Sequence, residues 1–423
     1  MSPSNPSGRT VAPHGWVQAV ATALAGLVAM GVTAALGLWA AGAADLPGGG
    51  FAPVVAATVV TAVGGTVEVS GNAGGLADTA AGLTVMPLSV TLAGVLVVAA
   101  GFLRPLRHRA VASAGELAGW AGRIAVVWLL GLIGLALAAR HTFAVPLGDE
   151  TISDLGDLFG VSPEVGFRAN VPLTVVVGLV WLAGTLLLAL AVSRRAPLPG
   201  RLLPFQTSVR PAAYAMVVLL LVHVVAGLVV AVVVAATRGH PAETLAVALL
   251  GLPNVVWPAL TIGLGADWHG RVQGPFDLPM PHVLDEVLRT PDVSTLNLQA
   301  LADYDNRWWW LVVVEAVLLL AAGFLTAVRS PARMRTWQHA VHLAVALALT
   351  VLMICLVCRI SAHLGLSLFG IGDLGGALSA RLFLRADVWP ALGLALLWGL
   401  VAGFLGALAA RPVRRRGVTP GDA

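Results

Sequence analysis

The amino-acid sequence predicts an all-α integral membrane protein with eight transmembrane helices. First, 58% of its 423 residues are hydrophobic and only 11% are charged, whereas about 25% of residues are charged in a typical globular domain. Second, eight stretches stay apolar for about 20 residues, the length that a helix needs to cross a hydrocarbon core of about 30 Å. Third, arginines concentrate in alternate loops between these stretches. This composition excludes a soluble enzyme, a disordered protein and a nucleic-acid-binding protein, and it makes the lipid bilayer the expected partner.

Eight apolar stretches are predicted to cross the membrane, and two shorter ones are predicted not to cross. The predicted spans are 16–41, 80–103, 121–144, 171–193, 212–236, 309–328, 339–361 and 387–409. The other two stretches, 51–67 and 246–266, are interrupted by glycine and proline, for example Pro53 and Pro253. Irregular backbone is tolerated at membrane depth only where protein covers it or where it lines a water-filled cavity. We therefore expect both segments to be re-entrant or to lie flat at the outer face.

The distribution of arginine predicts the orientation of the chain. With the N-terminus in the cytoplasm and only the eight spans crossing, the inner segments carry 16 arginines and two acidic residues, whereas the outer face carries nine arginines and 18 acidic residues. Short cytoplasmic loops of membrane proteins are enriched in Lys and Arg. If 51–67 or 246–266 crossed alone, the later basic loops would change sides. The sequence therefore predicts a multi-pass protein of the cell membrane with both termini in the cytoplasm.

Internal similarity divides the chain into two halves. Residues 95–107 and 317–329 are identical at eight of 13 positions. An even number of crossings gives both halves the same orientation, so we expect parallel repeats related by an axis along the membrane normal. The predicted organisation is a cytoplasmic N-terminus 1–15, a first four-span repeat 16–193, a basic cytoplasmic linker 194–211, a second four-span repeat 212–409 with an outer-face insertion 271–308, and a basic cytoplasmic tail 410–423.

Several short strings resemble a known group of membrane proteins. They are Ser193-Arg-Arg-Ala-Pro-Leu-Pro199, Leu250-Gly-Leu-Pro-Asn254 and Leu325-Thr-Ala-Val-Arg-Ser-Pro331. Together with their spacing, which extends over most of the chain, they resemble the streptophobe family of hydrophobic multi-span actinobacterial proteins. The resemblance implies an integral protein of an actinobacterial plasma membrane. It transfers no activity, substrate or site residue to this chain.

Two ionisable residues fall inside predicted spans, near the middle of the bilayer. His223 lies in the fifth predicted span and Glu315 in the sixth. A charged side chain at this depth costs about 2.5–3.5 kcal/mol even on the insertion scale, and such residues usually face the bundle interior and find partners. We expect His223 and Glu315 to pair, either as a proton relay or cation site or as a neutral structural pair. The aligned residues of the first half are Thr22 and Ala93, so the pair is expected only in the second half.

A second set of charges is predicted at the outer face of both halves. Glu68 and Asp267 each end a glycine-rich broken segment, and they are aligned with each other. Arg168 and Arg385 each precede the fourth span of their half. Broken segments at matching places in two repeats indicate the binding site in many transporters. The acids are therefore candidate ligands for a cation or substrate, with the arginines as gating partners. The alternative is that these side chains are simply solvated, since arginine at a helix end readily reaches water.

Other polar and aromatic motifs favour packing over chemistry. Cys355 and Cys358 have the spacing of a redox pair, but no second cysteine pair is present to relay electrons, so we expect small buried side chains. His339 and His342 share one helix face, which offers too few ligands for a metal or haem. Residues 308–310 are three consecutive tryptophans, as in an interfacial aromatic belt. No catalytic residue, metal site or cofactor is predicted.

Two classes of function remain compatible with the sequence. The protein is expected to be either a transporter or channel-like protein for a small solute or ion, or a non-transporting scaffold that binds another protein. The broken paired segments and the midplane charges favour transport. An enzyme is not expected, a thiol redox enzyme being the distant alternative. The identity of any solute or protein partner is left open, and nucleic acid is not expected as a partner.

Overall fold

The computed structural model describes most of the chain. The described residues are 15–72, 77–108, 114–144, 164–193, 203–273, 294–331, 334–368 and 380–412. Several predicted regions therefore lie partly outside them: the N-terminus, the linker after the first half, the centre of the predicted insertion and most of the tail.

The described part of the chain folds mainly into α-helices. The helices are α1 Trp16–Ala40, α2 Phe51–Ala62, α3 Leu88–Leu103, α4 Ala114–Ala138, α5 Val171–Val192, α6 Leu203–Arg238, α7 Pro241–Gly263, α8 Leu298–Tyr304, α9 Trp310–Arg329, α10 Thr336–Val357 and α11 Val388–Ala409. Eight of these, α1, α4, α5, α6, α7, α9, α10 and α11, are long and apolar enough to cross a membrane. The chain is thus a polytopic helical membrane protein, in contact with the lipid bilayer.

Eight strands accompany these helices, so the predicted all-α class is incomplete. The strands are β1 Val67–Asn72, β2 Ala77–Thr84, β3 Arg140–Ala144, β4 Glu164–Ala169, β5 Trp268–Gln273, β6 Ser294–Leu296, β7 Ile360–Leu368 and β8 Ala380–Ala386. They form one antiparallel sheet in the order β3-β4-β1-β2-β7-β8-β5-β6. Parts of β2, β3 and β7 lie at the ends of apolar stretches, and a hydropathy sum taken over about 20 residues does not separate such short strands from the adjoining helices.

The strands change the limits of three predicted spans. The predicted span 80–103 begins in β2, and its helix starts only at Leu88, directly after Pro87. Proline disfavours helical geometry in the residue before it, so the helix cannot extend back toward Thr84. The ends of the predicted spans 121–144 and 339–361 likewise belong to β3 and to the start of β7.

The predicted broken segment 246–266 is largely helical in the structure. It belongs to α7, which is 23 residues long and among the eight helices that could cross a membrane. The break is local: Gly251 has the non-helical angles φ −139° and ψ 20°, two residues before Pro253. Proline clashes with the carbonyl four residues earlier, which explains an irregularity at this point.

The helices and strands before residue 193 have the same order as those after residue 203. Within the described residues, each part runs helix, helix, strand, strand, helix, helix, strand, strand, helix, and the second part also contains the short α8. Each part also contributes four adjacent strands to the sheet, in the order third, fourth, first, second. The two sets join where β2 pairs with β7, over eight residue pairs from Ala77↔Leu368 to Thr84↔Ser361.

The sheet lies at one end of the helices, which we call the sheet end. Helices α4 and α10 lead into strands, and α3, α5 and α11 begin directly after one. The opposite, far end is marked by the guanidinium of Arg329, at the end of α9, which lies 3.8 Å from the ring centroid of Tyr214 near the start of α6. Helix α6 therefore runs toward the sheet end.

Both ends of α2 and α7 lie at the sheet end. A Cβ placed on Gly50, just before α2, would lie 2.5 Å from the Phe143 ring of β3, and the other end of α2 leads into β1. Helix α7 begins where α6 ends and leads into β5. Its middle contacts the start of α3, where Ser89 Oγ donates to the Ala248 carbonyl at 2.8 Å.

Among the described residues, two large buried cores hold most of the helices together. One core contains Trp120 and Trp128 of the first half, and the other contains Leu260 and Leu319 of the second half. In the second core the helices touch through their backbones. A Cβ on Gly399 or Gly403 of α11 would collide with backbone atoms of α10, and one on Gly323 of α9 would collide with the Ala402 carbonyl. Small residues at helix interfaces permit this close approach in membrane proteins.

Candidate functional site

The structure brings His223 of α6 and Glu315 of α9 together. Nε2 of His223 lies 2.7 Å from Oε1 of Glu315. The side chains are 9% and 1% exposed, respectively. The two residues are far apart in sequence, and each lies in an apolar stretch of its helix, away from the charged residues at the helix ends. The contact follows from the cost of leaving such groups unpaired in an apolar interior.

The hydrogen bond of the second imidazole nitrogen, Nδ1, determines how many protons the pair holds. Nδ1 of His223 lies 2.8 Å from the carbonyl oxygen of Leu219, one turn earlier in α6. A carbonyl can only accept, so Nδ1 carries a hydrogen and donates it. One further proton then lies between Nε2 and Oε1, and it belongs either to an imidazolium facing a carboxylate or to a carboxylic acid facing a neutral imidazole. The pair is a buried site that holds one transferable proton.

The local sequence places Glu315 on the buried face of α9. Residues Leu319, Ala322 and Thr326 lie on the same face, at helical spacing, and are also buried. Helix α7 covers the carboxyl side chain from another direction. A Cβ on Gly263, the last residue of α7, would lie 2.5 Å from Cγ of Glu315. Only glycine lets α7 approach this close.

The other carboxyl oxygen of Glu315 is free within the described part of the chain. Oε2 is buried and has no hydrogen-bond partner there. A buried polar atom left unsatisfied costs about 1–3 kcal/mol. An oxygen in this position can accept a hydrogen bond from, or coordinate, a group that enters the site.

Glu68 and Arg168 form an exposed ion pair in the sheet. They are directly opposite in β1 and β4, with Oε2 of Glu68 3.4 Å from Nη2 and from Nε of Arg168. Nδ2 of Asn170 donates to Oε1 of the same carboxylate at 3.4 Å. The side chains of Arg168 and Glu68 are 78% and 53% exposed. This contact is solvated, and its geometry is that of a cross-strand pair.

Asp267 and Arg385 are not joined in the same way. Within the described residues no ion pair connects them, and β5 places His269, not Asp267, opposite Arg385. Asp267 lies just before β5, where its carbonyl accepts from the Asp387 amide at 2.9 Å. The corresponding bond of the first half joins the Asn170 amide to the Thr66 carbonyl at 3.1 Å.

The sheet register therefore corrects the alignment of the two acids. Gly64 and Gly265 both have positive φ, 90° and 96°, and each lies two residues before the carbonyl that accepts this bond. By this register, Asp267 corresponds to Thr66, and Glu68 corresponds to His269. The sequence alignment of Glu68 with Asp267 is wrong by two residues, because glycine-rich strings can be aligned in more than one way. The alignment of Arg168 with Arg385 agrees with the register.

The remaining predicted motifs lie in separate places. Cys355 and Cys358 are free thiols and buried. His339 is buried in α10, whereas His342 lines an apolar groove of about 340 Å³ between α5, α6 and α10 toward the far end. Trp309 and Trp310 are exposed, 51% and 68%. In the part of the chain that the structure describes, no three His, Cys, Asp or Glu residues are grouped as metal ligands would be.

The halves are also joined by polar contacts that the sequence did not predict. Asn254 of α7 accepts from the Leu88 amide at 3.0 Å and donates to the Met86 carbonyl at 2.9 Å. Ser89 adds a bond from its hydroxyl to Ala248 and accepts from the Leu252 amide at 3.1 Å. A lone asparagine in an apolar stretch is the signal that could have identified this junction.

Comparison with protein-family models, with curated proteins and with solved structures finds no match to this chain.

Proposed function

We propose that the protein is a membrane carrier or channel-like protein for a small solute or ion, and that His223 and Glu315 form its proton or cation site. The observation that carries this proposal is a buried pair that shares one proton while one carboxyl oxygen, Oε2 of Glu315, has no partner within the described residues. A purely structural pair gains nothing from that unsatisfied oxygen.

The proposed site works by moving the shared proton from Glu315 to His223 when a ligand binds. When a cation or a hydrogen-bond donor reaches Oε2, the carboxylate form of Glu315 is favoured and the proton moves to Nε2 of His223. When the ligand leaves, the proton returns and the pair is neutral. The Leu219 carbonyl keeps the imidazole in one orientation throughout, since it holds the hydrogen on Nδ1.

The proposal includes the predicted topology of two parallel four-span repeats in an actinobacterial cell membrane, with both termini in the cytoplasm. In this topology α3 crosses and α7 does not. The common element order of the two halves supports the repeat, and the position of both ends of α2 and of α7 at the sheet end supports outer segments that do not cross. The short strings shared with the streptophobe family support the cellular setting. No catalytic chemistry and no cofactor are part of the proposal.

A scaffold that binds another protein is the second candidate function. Its support is the eight-stranded sheet, which places strands outside the helices and ends in two short edge strands, β3 and β6. Exposed strand edges can pair with another chain. In this function the buried pair would only stabilise the bundle.

A thermal-shift panel followed by a flux assay separates the two functions. Purified protein is melted with small solutes and with Na⁺, K⁺ and Li⁺ at several pH values. A carrier is stabilised by its solute, by about 2.7 kcal/mol at a hundredfold excess over Kd. Any stabilising solute is then followed into proteoliposomes with the wild type, Glu315→Gln and the exposed control Glu243→Gln.

The proposal expects flux in the wild type and in Glu243→Gln and loss of pH-dependent flux in Glu315→Gln. The glutamine variant keeps the volume of the side chain and removes only its titration. Full flux in Glu315→Gln would exclude the proton site. A panel in which no solute or cation raises the melting temperature would instead favour the scaffold.

A further inference from the structure

A row of side chains crosses the sheet at the same level in each half. In the first half, Arg140 of β3 lies opposite Arg168 of β4, and Arg168 lies opposite Glu68 of β1. In the second half, Arg385 of β8 lies opposite His269 of β5. Antiparallel residues directly opposite each other have neighbouring side chains on one face of the sheet.

The second row also has two arginines. Ile360 is paired with Leu384, so the same register sets Arg359, one residue earlier, opposite Arg385. The first row is therefore Arg, Arg, Glu, and the second row is Arg, Arg, His. The two rows therefore share both arginines and differ in the third residue, which is Glu68 in the first row and His269 in the second.

This change removes the counter-charge. In the first row, Glu68 contacts Arg168 at 3.4 Å. In the second row, Nδ1 of His269 instead lies 3.3 Å from the hydroxyl of Thr295. No ion pair reaches Arg359 or Arg385 from any described residue, although Asp267 and Asp387 lie nearby at the ends of the strands. Two like charges directly opposite each other are destabilising unless something lies between them.

The two arginines of the second row line a pocket. It has a volume of about 420 Å³, and its walls include the hydroxyl residues Thr84 and Ser361. Arg359, Ser361, Phe383 and Arg385 are alternate residues of neighbouring strands, and the Arg385 guanidinium lies 5.8 Å from the Phe383 ring centroid. The two guanidinium groups and the adjacent hydroxyls are hydrogen-bond donors, and no described carboxylate forms an ion pair with the guanidinium groups. Such a set of donors binds phosphate-type oxyanions.

We propose that Arg359 and Arg385 form a binding site for a phosphate group at the sheet end of the second half. The site lies where α10 ends and α11 begins, the level at which these helices leave the apolar region. Trp389, at the start of α11, is 82% exposed, as a side chain at the headgroup level of a bilayer is expected to be. The phosphate is supplied either by a phospholipid headgroup or by a free anion, and both sources use the same donors.

Binding of two probes to purified protein tests the site. Inorganic phosphate is titrated at constant ionic strength, with melting temperature as the readout. Dioleoylphosphatidylglycerol and dioleoylglycerol are added in detergent and counted as bound molecules by native mass spectrometry. The second lipid lacks the phosphate and controls for acyl-chain binding. Response to inorganic phosphate indicates a free anion, and response to the phosphatidylglycerol alone indicates a headgroup.

Three variants assign the response to this pocket. Arg359→Gln with Arg385→Gln should weaken binding of the effective probe by about tenfold or more for each arginine. The matched first-half variant, Arg140→Gln with Arg168→Gln, should bind like the wild type. His269→Glu restores the charge pattern of the first row and should also weaken binding, while all four arginines remain.

The wild type failing to respond to either phosphate probe would overturn the proposal. So would full binding by His269→Glu, which also decides the matter if the double arginine variant does not fold. The carrier function does not enter this test, because neither probe nor readout involves Glu315.

Discussion

The two halves of the molecule share an order of elements but place their charges differently. In the first half, the ion pair of Glu68 with Arg168 is exposed in the sheet. In the second half, the pair His223 and Glu315 is buried among helices. The aligned position of Glu315 in the first half is Ala93. The second half thus buries an ionisable pair at a place where the aligned residues of the first half, Thr22 and Ala93, are not ionisable.

The halves also differ in how closely their helices approach each other. In the first half, a Cβ on Gly178 of α5 would meet the end of the Leu132 side chain, which can move. In the second half, a Cβ on Gly403 would lie 2.7 Å from Cα of Ala340, which cannot move without the helix. Helices α10 and α11 of the second half are consequently held in direct backbone contact.

The largest effect is expected from glycine-to-alanine substitutions that test this difference in packing. Gly403→Ala should destabilise the protein by about 2–3 kcal/mol, because overpacking here must displace a helix backbone. Gly178→Ala should cost about 1 kcal/mol or less, since a leucine rotamer can relieve the clash. Chemical unfolding in detergent measures both. Gly393→Ala, on the same helix with open space around an added Cβ, is the control and should be neutral or stabilising by about 1 kcal/mol or less.

The second prediction removes the buried pair. Glu315→Leu should cost about 1–3 kcal/mol, because it leaves Nε2 of His223 buried without a partner. Glu315→Gln should cost clearly less, since an amide can still bond to the imidazole. Melting curves of the two variants in one detergent give the difference. Equal stability of the two variants would mean that His223 finds another partner.

The third prediction concerns the junction of the halves. Asn254→Ala should cost about 1–2 kcal/mol, because the Leu88 amide and the Met86 carbonyl lose their partner at the start of α3. Hydrogen exchange of the Leu88 amide should be faster in the variant. Thr91→Val, which removes a bond within the first half, should leave that amide's exchange unchanged. Unchanged exchange in Asn254→Ala would argue against the junction.

The smallest effect is expected at the exposed ion pair. Glu68→Gln should change stability by about 0.5 kcal/mol or less, because solvent and salt screen a pair in which both side chains are more than half exposed. Unfolding at low and at high ionic strength measures it. A loss comparable to that of Glu315→Leu would show that the two halves depend equally on their charged pairs.

Composition and charge were sufficient to predict part of this molecule. The membrane class follows from the length of the apolar stretches. The contact of His223 with Glu315 agrees with the expectation that ionisable residues inside apolar helices pair with one another. Both are consequences of the cost of burying polar groups, and that cost can be judged from the type of residue without knowledge of the fold.

The sheet and its register could not be predicted in the same way. Residues 80–84 and 140–144 directly adjoin apolar helical stretches and are too short to show a strand periodicity of their own. The correspondence of Glu68 with His269 depends on backbone hydrogen bonds such as those to Thr66 and Asp267, which no residue type encodes. The pocket between Arg359 and Arg385 was missed for the same reason.

The pairing of β2 with β7 also has a mechanical consequence. Eight consecutive residue pairs tie the halves together at the sheet end, and sliding one strand past the other would break the whole ladder at once. The ladder therefore resists sliding of the halves at the sheet end, together with the bonds of Asn254 and Ser89 between α7 and α3. The groove between α5, α6 and α10 lies near the opposite end, where this ladder does not fix the spacing of the two halves.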